Sequence, residues 1–177
     1  KEITADSILL SFFVYHADSS EAFYDWERIS EIKDAFEHYF GKYPFDCYGM
    51  AETPNGLGGM EHQTMTFLDD FIIRGDRRYE FVIAHELAHS WFGNSVGLAN
   101  WKDFWLNEGF ATFSEFIYKK AFFGDDAAKE YRRQTQSGYF ASGEYFPIYN
   151  PEIYLSSTCY NKAGCVIEML RFLMGDS

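Results

Sequence analysis

Apolar residues cluster in the first half of the chain in ways that predict strands. Ile8-Leu9-Leu10 and Phe12-Phe13-Val14-Tyr15, split only by Ser11, read as a buried strand over 8–15. Phe23, Trp26, Ile29, Ile32, Phe36 and Phe40 then recur every three or four residues, the period of one helix over about 20–40. Ser20 is its expected cap, and Gly41 with Pro44 its expected end. Strands are expected over 45–52 and 63–73, with Asn55-Gly56-Leu57-Gly58-Gly59 as a flexible turn between them. That turn is not a phosphate loop, because no Lys-Ser/Thr follows it.

The pattern then becomes helical. A helix over 77–92 carries Phe81, Val82, Leu87 and Ala88, which implies burial on most sides. A short strand is expected near 95–99 and a helix over 104–122. Another follows over 125–141, with Asp125 as cap and Arg132-Arg133 outward. Residues 143–157 are irregular and aromatic, with Pro147 and Pro151, and a last helix covers 160–174. Strands followed by helices predict an α+β fold: one domain over 1–177, strand-rich to about residue 75 and helical from about 76.

Composition narrows the function classes. With 177 residues, 47% hydrophobic and 20% aromatic, the chain is not of a disordered type. A net charge of −12 and a pI near 4.7 argue against nucleic acid as a partner. Acidity serves solubility first, though it also suits positively charged substrates. Cys47, Cys159 and Cys165 are odd in number and lack paired spacing, so neither a disulfide framework nor a zinc finger is expected. No apolar run approaches the roughly 18 residues of a membrane span, and no signal peptide is evident. The ends at Lys1 and Ser177 read as those of an excised fragment, so compartment stays open.

The candidate chemistry sits in His85-Glu86-Leu87-Ala88-His89. On a helix, four residues rise about 6 Å and turn about 400°, which stacks two imidazoles on one face. Glu86 is offset by about 100° and can lean over a shared ion without ligating it, placed to take a proton from a water. The five-residue pattern also arises by chance. Glu108, within Asn107-Glu108-Gly109-Phe110-Ala111 on the next expected helix, is the candidate third ligand. Two histidines and one carboxylate, with a fourth position open, make a catalytic rather than a structural zinc site. Thr112 and Glu115 are candidate supporting partners of Glu108, although a solvated helix face explains Glu115 equally well.

Three motifs together resemble the catalytic domain of the gluzincin aminopeptidases, the family of aminopeptidase N and leukotriene hydrolase. Gly58-Gly59-Met60-Glu61-His62 resembles that family's Gly-x-Met-Glu-Asn. The two histidines are followed after eighteen residues by Glu108, the family spacing. Tyr160-Asn161-Lys162-Ala163-Gly164 resembles its Tyr-x-Lys-Gly helix start. Tyr43-Pro44-Phe45 and Trp91-Phe92-Gly93-Asn94 support the match, which runs from about residue 30 to the end.

The resemblance implies a thermolysin-like zincin fold, a mixed β-sheet over a helical half with zinc between them. It implies one Zn²⁺ on His85, His89 and Glu108, with Glu86 as general base and Tyr160 as donor to the oxyanion. Gly58, Gly59, Met60 and Glu61 would bind substrate, Glu61 taking the α-amino group of a peptide with a free N-terminus. It also implies flanking β-rich and helical domains in the parent chain. The aromatic stretch from Tyr139 to Tyr154 reads as surface for such a domain rather than as cleft lining. His62 stands where the family has Asn, which leaves the first substrate subsite open. The activity implied is zinc-dependent removal of N-terminal residues. The alternatives are epoxide hydrolysis or endopeptidase action at the same site, or a scaffold without catalysis.

Overall fold

The computed structural model describes residues 2–5, 8–54 and 56–175, the first four by their backbone. Asn55 of the expected turn lies outside the described residues. The chain divides into two compact units, Lys1–Ser95 and Val96–Ser177.

The first unit holds a five-stranded mixed sheet. Strands β1 (Glu2–Ala5), β2 (Ile8–Phe13), β3 (Cys47–Glu52), β4 (Gly59–Met60) and β5 (Met65–Leu68) are arranged in the order β1-β2-β3-β5-β4. Parallel pairs β2–β3 and β3–β5 form the centre, and antiparallel β1 and β4 form the edges. The centre is tight: a Cβ on Gly49 of β3 would lie 2.5 Å from Met65 Cε of β5. Met50 and Leu68 are fully buried.

The expected helix over 20–40 is two helices, α1 (Ser19–Trp26) and α2 (Ile29–Phe40). Ser20 lies inside α1, where its hydroxyl bonds Glu21, and caps nothing. Gly41 ends α2 at φ +84, a conformation glycine accepts without strain. Ile29, Ile32 and Phe36 bury one face of α2. Phe36 and Phe40 join Tyr43 and Trp91 in an edge-to-face cluster, and Trp91 Nε1 donates to Gly41 O at 3.0 Å. Burial pushes the Tyr43 phenol up to about 12.

The strand expected over 63–73 is shorter. It stops at Leu68 and gives way to a 3-10 turn at Asp70–Ile72. Helix α3 (Glu80–Ala88) follows. Its entry is built by a buried acid on α1: Asp25 accepts from the backbone N–H groups of Arg74, Gly75 and Arg77 at 2.7, 2.9 and 2.8 Å. Arg28 then grips the buried Glu80 in the first turn of α3.

In the second unit, α4 (Phe104–Ser142) breaks at Gly124, whose φ of 86 and ψ of 175 are not helical, near the boundary expected between 122 and 125. The strand expected near 95–99 is absent among the described residues; 97–100 are irregular. A π-helical turn (Thr158–Lys162) leads into α5 (Ala163–Met174). α4 and α5 meet at small residues. A Cβ on Gly109 would sit 2.8 Å from Ala163 Cβ, and one on Gly164 would sit 2.8 Å from Thr112 Cγ2. Arg132 is not outward as expected; it pairs with Glu168 of α5 at 2.5 Å. Mixed sheet and helices make the chain α+β, as the order of elements predicts. No helix among the described residues is long and apolar enough to cross a membrane.

Candidate functional site

Helix α3 carries His85 and Glu86 and is capped at its C-terminal end by His89, all three buried. The imidazoles stack as the four-residue spacing requires, with ring centroids 5.0 Å apart and planes tilted by 74°. His89 Nδ1 lies 3.0 Å from Phe92 O. A carbonyl can only accept, so Nδ1 carries the proton and Nε2 is the ring atom with a lone pair to give. Fixing the tautomer through the other nitrogen is how metal-ligating histidines are prepared.

Edge strand β4 is placed by the turn before it. Gly56 and Gly58 adopt φ of 71 and 89, and buried Asp69 pins the turn by accepting from Gly56 N–H. Asp69 N–H donates to Gly58 O at 2.8 Å. Gly59 comes so close to α3 that a Cβ there would lie 2.1 Å from Glu86 Oε1. Glu61, just past β4, has a carboxylate oxygen in a cluster with Glu86 and His89. These three donor atoms all lie within 4.8 Å of one another. Two carboxylates this close repel each other, and a nearby cation would offset that repulsion. Met60 pairs with Phe67 across the β4–β5 ladder, and His62 packs edge-on against Phe67 with centroids 4.7 Å apart.

The remaining candidates belong to the second unit. Glu108 is buried in the first turns of α4. Burial pushes the nearby Cys159 thiol up, and the charges of Glu108 and Glu144 add to that. Tyr160 lies on the π-helical turn, its ring 6.4 Å from Phe104. Glu144 caps this turn, accepting from Thr158 N at 2.7 Å and Thr158 Oγ1 at 2.9 Å. Lys162 Nζ donates to Phe146 O at 2.8 Å. π-Helical turns of this kind concentrate at functional sites. Thr112 is buried against Gly164. Glu115 is not on a solvated face: it is buried and accepts from Tyr131 O–H, and burial, with the charge of Glu115, pushes that phenol up. In the aromatic stretch Phe146 is buried, while Tyr145 is 82% exposed.

The donor chemistry fits a divalent zinc ion: neutral imidazoles, one with its tautomer already set, and carboxylates rather than a run of thiolates.

Comparison with known proteins gives the family. The sequence model of the Peptidase family M1 domain matches residues 24–177. The chain belongs to this family. M1 relatives include rat aminopeptidase B, 34% identical over 164 residues, a match covering 84% of this chain and 25% of that protein. A zinc metallopeptidase of family M1 from Deinococcus radiodurans, solved with a Tyr-Ser-Ala substrate, is 27% identical with a TM-score of 0.72. That likeness covers 84% of this chain and 33% of the other. Native leukotriene A4 hydrolase from Saccharomyces cerevisiae shares the fold at a TM-score of 0.84 and 24% identity, over 99% of this chain and 30% of the other. The chain thus spans about a quarter of the length of aminopeptidase B.

Proposed function

We propose that this chain carries the catalytic residues of a zinc-dependent aminopeptidase, which removes N-terminal residues from peptides. The observation that supports this most is the gathering of Glu61, Glu86 and His89 within 4.8 Å. A peptide ammonium held by Glu61 puts the first peptide bond beside Glu86, one residue from the chain end.

His85, His89 and Glu108 would hold one Zn²⁺, leaving a fourth position open. When bound, the ion supplies Lewis acidity that polarises a carbonyl and lowers the pKa of water toward about 7. Glu86 takes the proton of the attacking water and passes it to the leaving amine. Tyr160 donates a hydrogen bond to the oxygen on which negative charge develops. The backbone of Gly58, Gly59 and Met60 offers the open edge of β4 to an extended substrate, which adds as a further strand. The greater length of its relatives supports β-rich and helical domains flanking this one in a parent chain, as the family resemblance implies.

The test is metal content together with turnover of an aminoacyl anilide by the full-length zinc-loaded protein. One zinc per chain, activity lost to a chelator and activity regained with Zn²⁺ support the reading. Turnover that survives complete metal removal rejects it.

Two variants probe the residues around the scissile bond. Gly59→Ala drives its methyl into the Glu86 carboxylate. Zinc content should hold while kcat falls about 10²-fold, since about 1 Å of misplacement is enough for that. Wild-type kcat in a zinc-loaded Gly59→Ala would remove the requirement for close approach. Tyr160→Phe should lower kcat far more than it changes KM, at a cost of about 2.7–4 kcal/mol, because the bond forms mainly in the transition state. A variant altered only in KM would make Tyr160 a substrate-binding residue.

A further inference from the structure

The exit from α3 reaches back to β4 through one side chain. Gly93, at φ +139, turns the chain after the helix. Asn94 N–H then donates to His89 O at 2.9 Å, closing the segment 89–94 on itself. The Asn94 side chain points the other way, and its Nδ2 donates to Glu61 O at 2.8 Å. Glu61 lies between the last ladder pair of its strand, Met60↔Phe67, and the turn that Met65 N–H closes onto His62 O at 2.9 Å, and Asn94 holds its carbonyl. Asn94 therefore joins the last turn of the histidine helix to the residue whose carboxylate faces that helix.

We propose that Asn94 is a positioning residue that sets the distance between His89 and the Glu61 carboxylate, and so the selectivity for a free α-amino group. This rests on the aminopeptidase reading above. The chemistry of the amide suits the task. It grips the carbonyl of Glu61, not its carboxylate, and it is neutral, so the charge of Glu61 is left to the substrate. A lysine here would compete for that charge. An aspartate would set oxygen against oxygen and release the strand end, although its size is the same. The main-chain bond to His89 O needs only the backbone N–H, which alanine and aspartate both keep, so the histidine helix keeps its exit while the Glu61 link is cut.

The experiment compares two hydroxamates with the full-length zinc-loaded protein, by calorimetry. Leucine hydroxamate carries the α-amino group; 4-methylpentanohydroxamate has the same side chain and lacks it. Wild type should bind the amino compound at least about tenfold more tightly, the scale of one charge-assisted hydrogen bond. Asn94→Ala and Asn94→Asp should shrink that preference to about threefold or less, with affinity for the amine-free compound within about twofold of wild type. Asn94→Asp carries the test if Asn94→Ala does not fold. Variants that keep the wild-type preference, or that lose both ligands equally, overturn the role of Asn94 and leave the aminopeptidase reading standing. A wild type without preference sinks that reading, and this proposal with it.

Discussion

Glu86→Gln is expected to keep its zinc and to lose at least about 10²-fold in kcat, the usual worth of a general base. The substitution preserves shape and hydrogen-bonding reach and removes only basicity. The expectation is sharp because Glu86 is buried on α3 and its carboxylate lies against Gly59, where bulk solvent is a poor substitute base. Loss confined to kcat, with KM near that of wild type, assigns the base to the chemical step. A zinc-loaded Glu86→Gln with near-normal kcat would reject the mechanism, whatever the fold.

Removing a ligand should act one step earlier. His85→Ala, His89→Ala or Glu108→Ala should each weaken zinc binding by more than the roughly 10–100-fold that outer partners of a ligand are worth. Turnover should fall to the level of the chelated wild type. Elemental analysis after dialysis reads this directly. Unchanged zinc in any one variant would strike that residue from the ligand set. Glu108 is the most informative of the three, because its assignment rests on spacing and residue type and not on the four-residue geometry that stacks His85 and His89.

Much of the chain could be read without coordinates. Local periodicity sets the type of the helices and of β2, β3 and β5, and the four-residue histidine spacing needs only helical geometry. It misses the short edge strands β1 and β4 and places a strand near 95–99 where none is found among the described residues. Periodicity failed where a bend kept the same face buried. Trp26 and Ile29 flank the break between α1 and α2, and both are buried, so the apolar rhythm runs through it unchanged. Arg132 looked outward because its partner, Glu168, lies on another helix.

The polar residues that place the site were invisible for the same reason. Asp25 bonds backbone groups about fifty residues away, and the target of Asn94, the Glu61 carbonyl, is thirty-three residues back. Glu144 and Asp69 likewise act on turns in other parts of the sequence. Nothing in the local sequence marks such acceptors. Gly59 was legible as a glycine in a motif, but its reason, a carboxylate at 2.1 Å from a would-be Cβ, needed three dimensions.

The central claim is that this site acts on the free end of a peptide. The measurement that tests it most directly is the ratio of kcat/KM for a peptide with a free N-terminus to that for the same peptide N-acetylated, using the full-length zinc-loaded protein. Acetylation removes the charge that Glu61 would hold, a bond worth about 1.5–3 kcal/mol, and adds bulk at the amine. Cleavage of the free peptide with no detectable cleavage of the acetylated one is the predicted result. Equal cleavage of both would contradict it and make this the site of an endopeptidase.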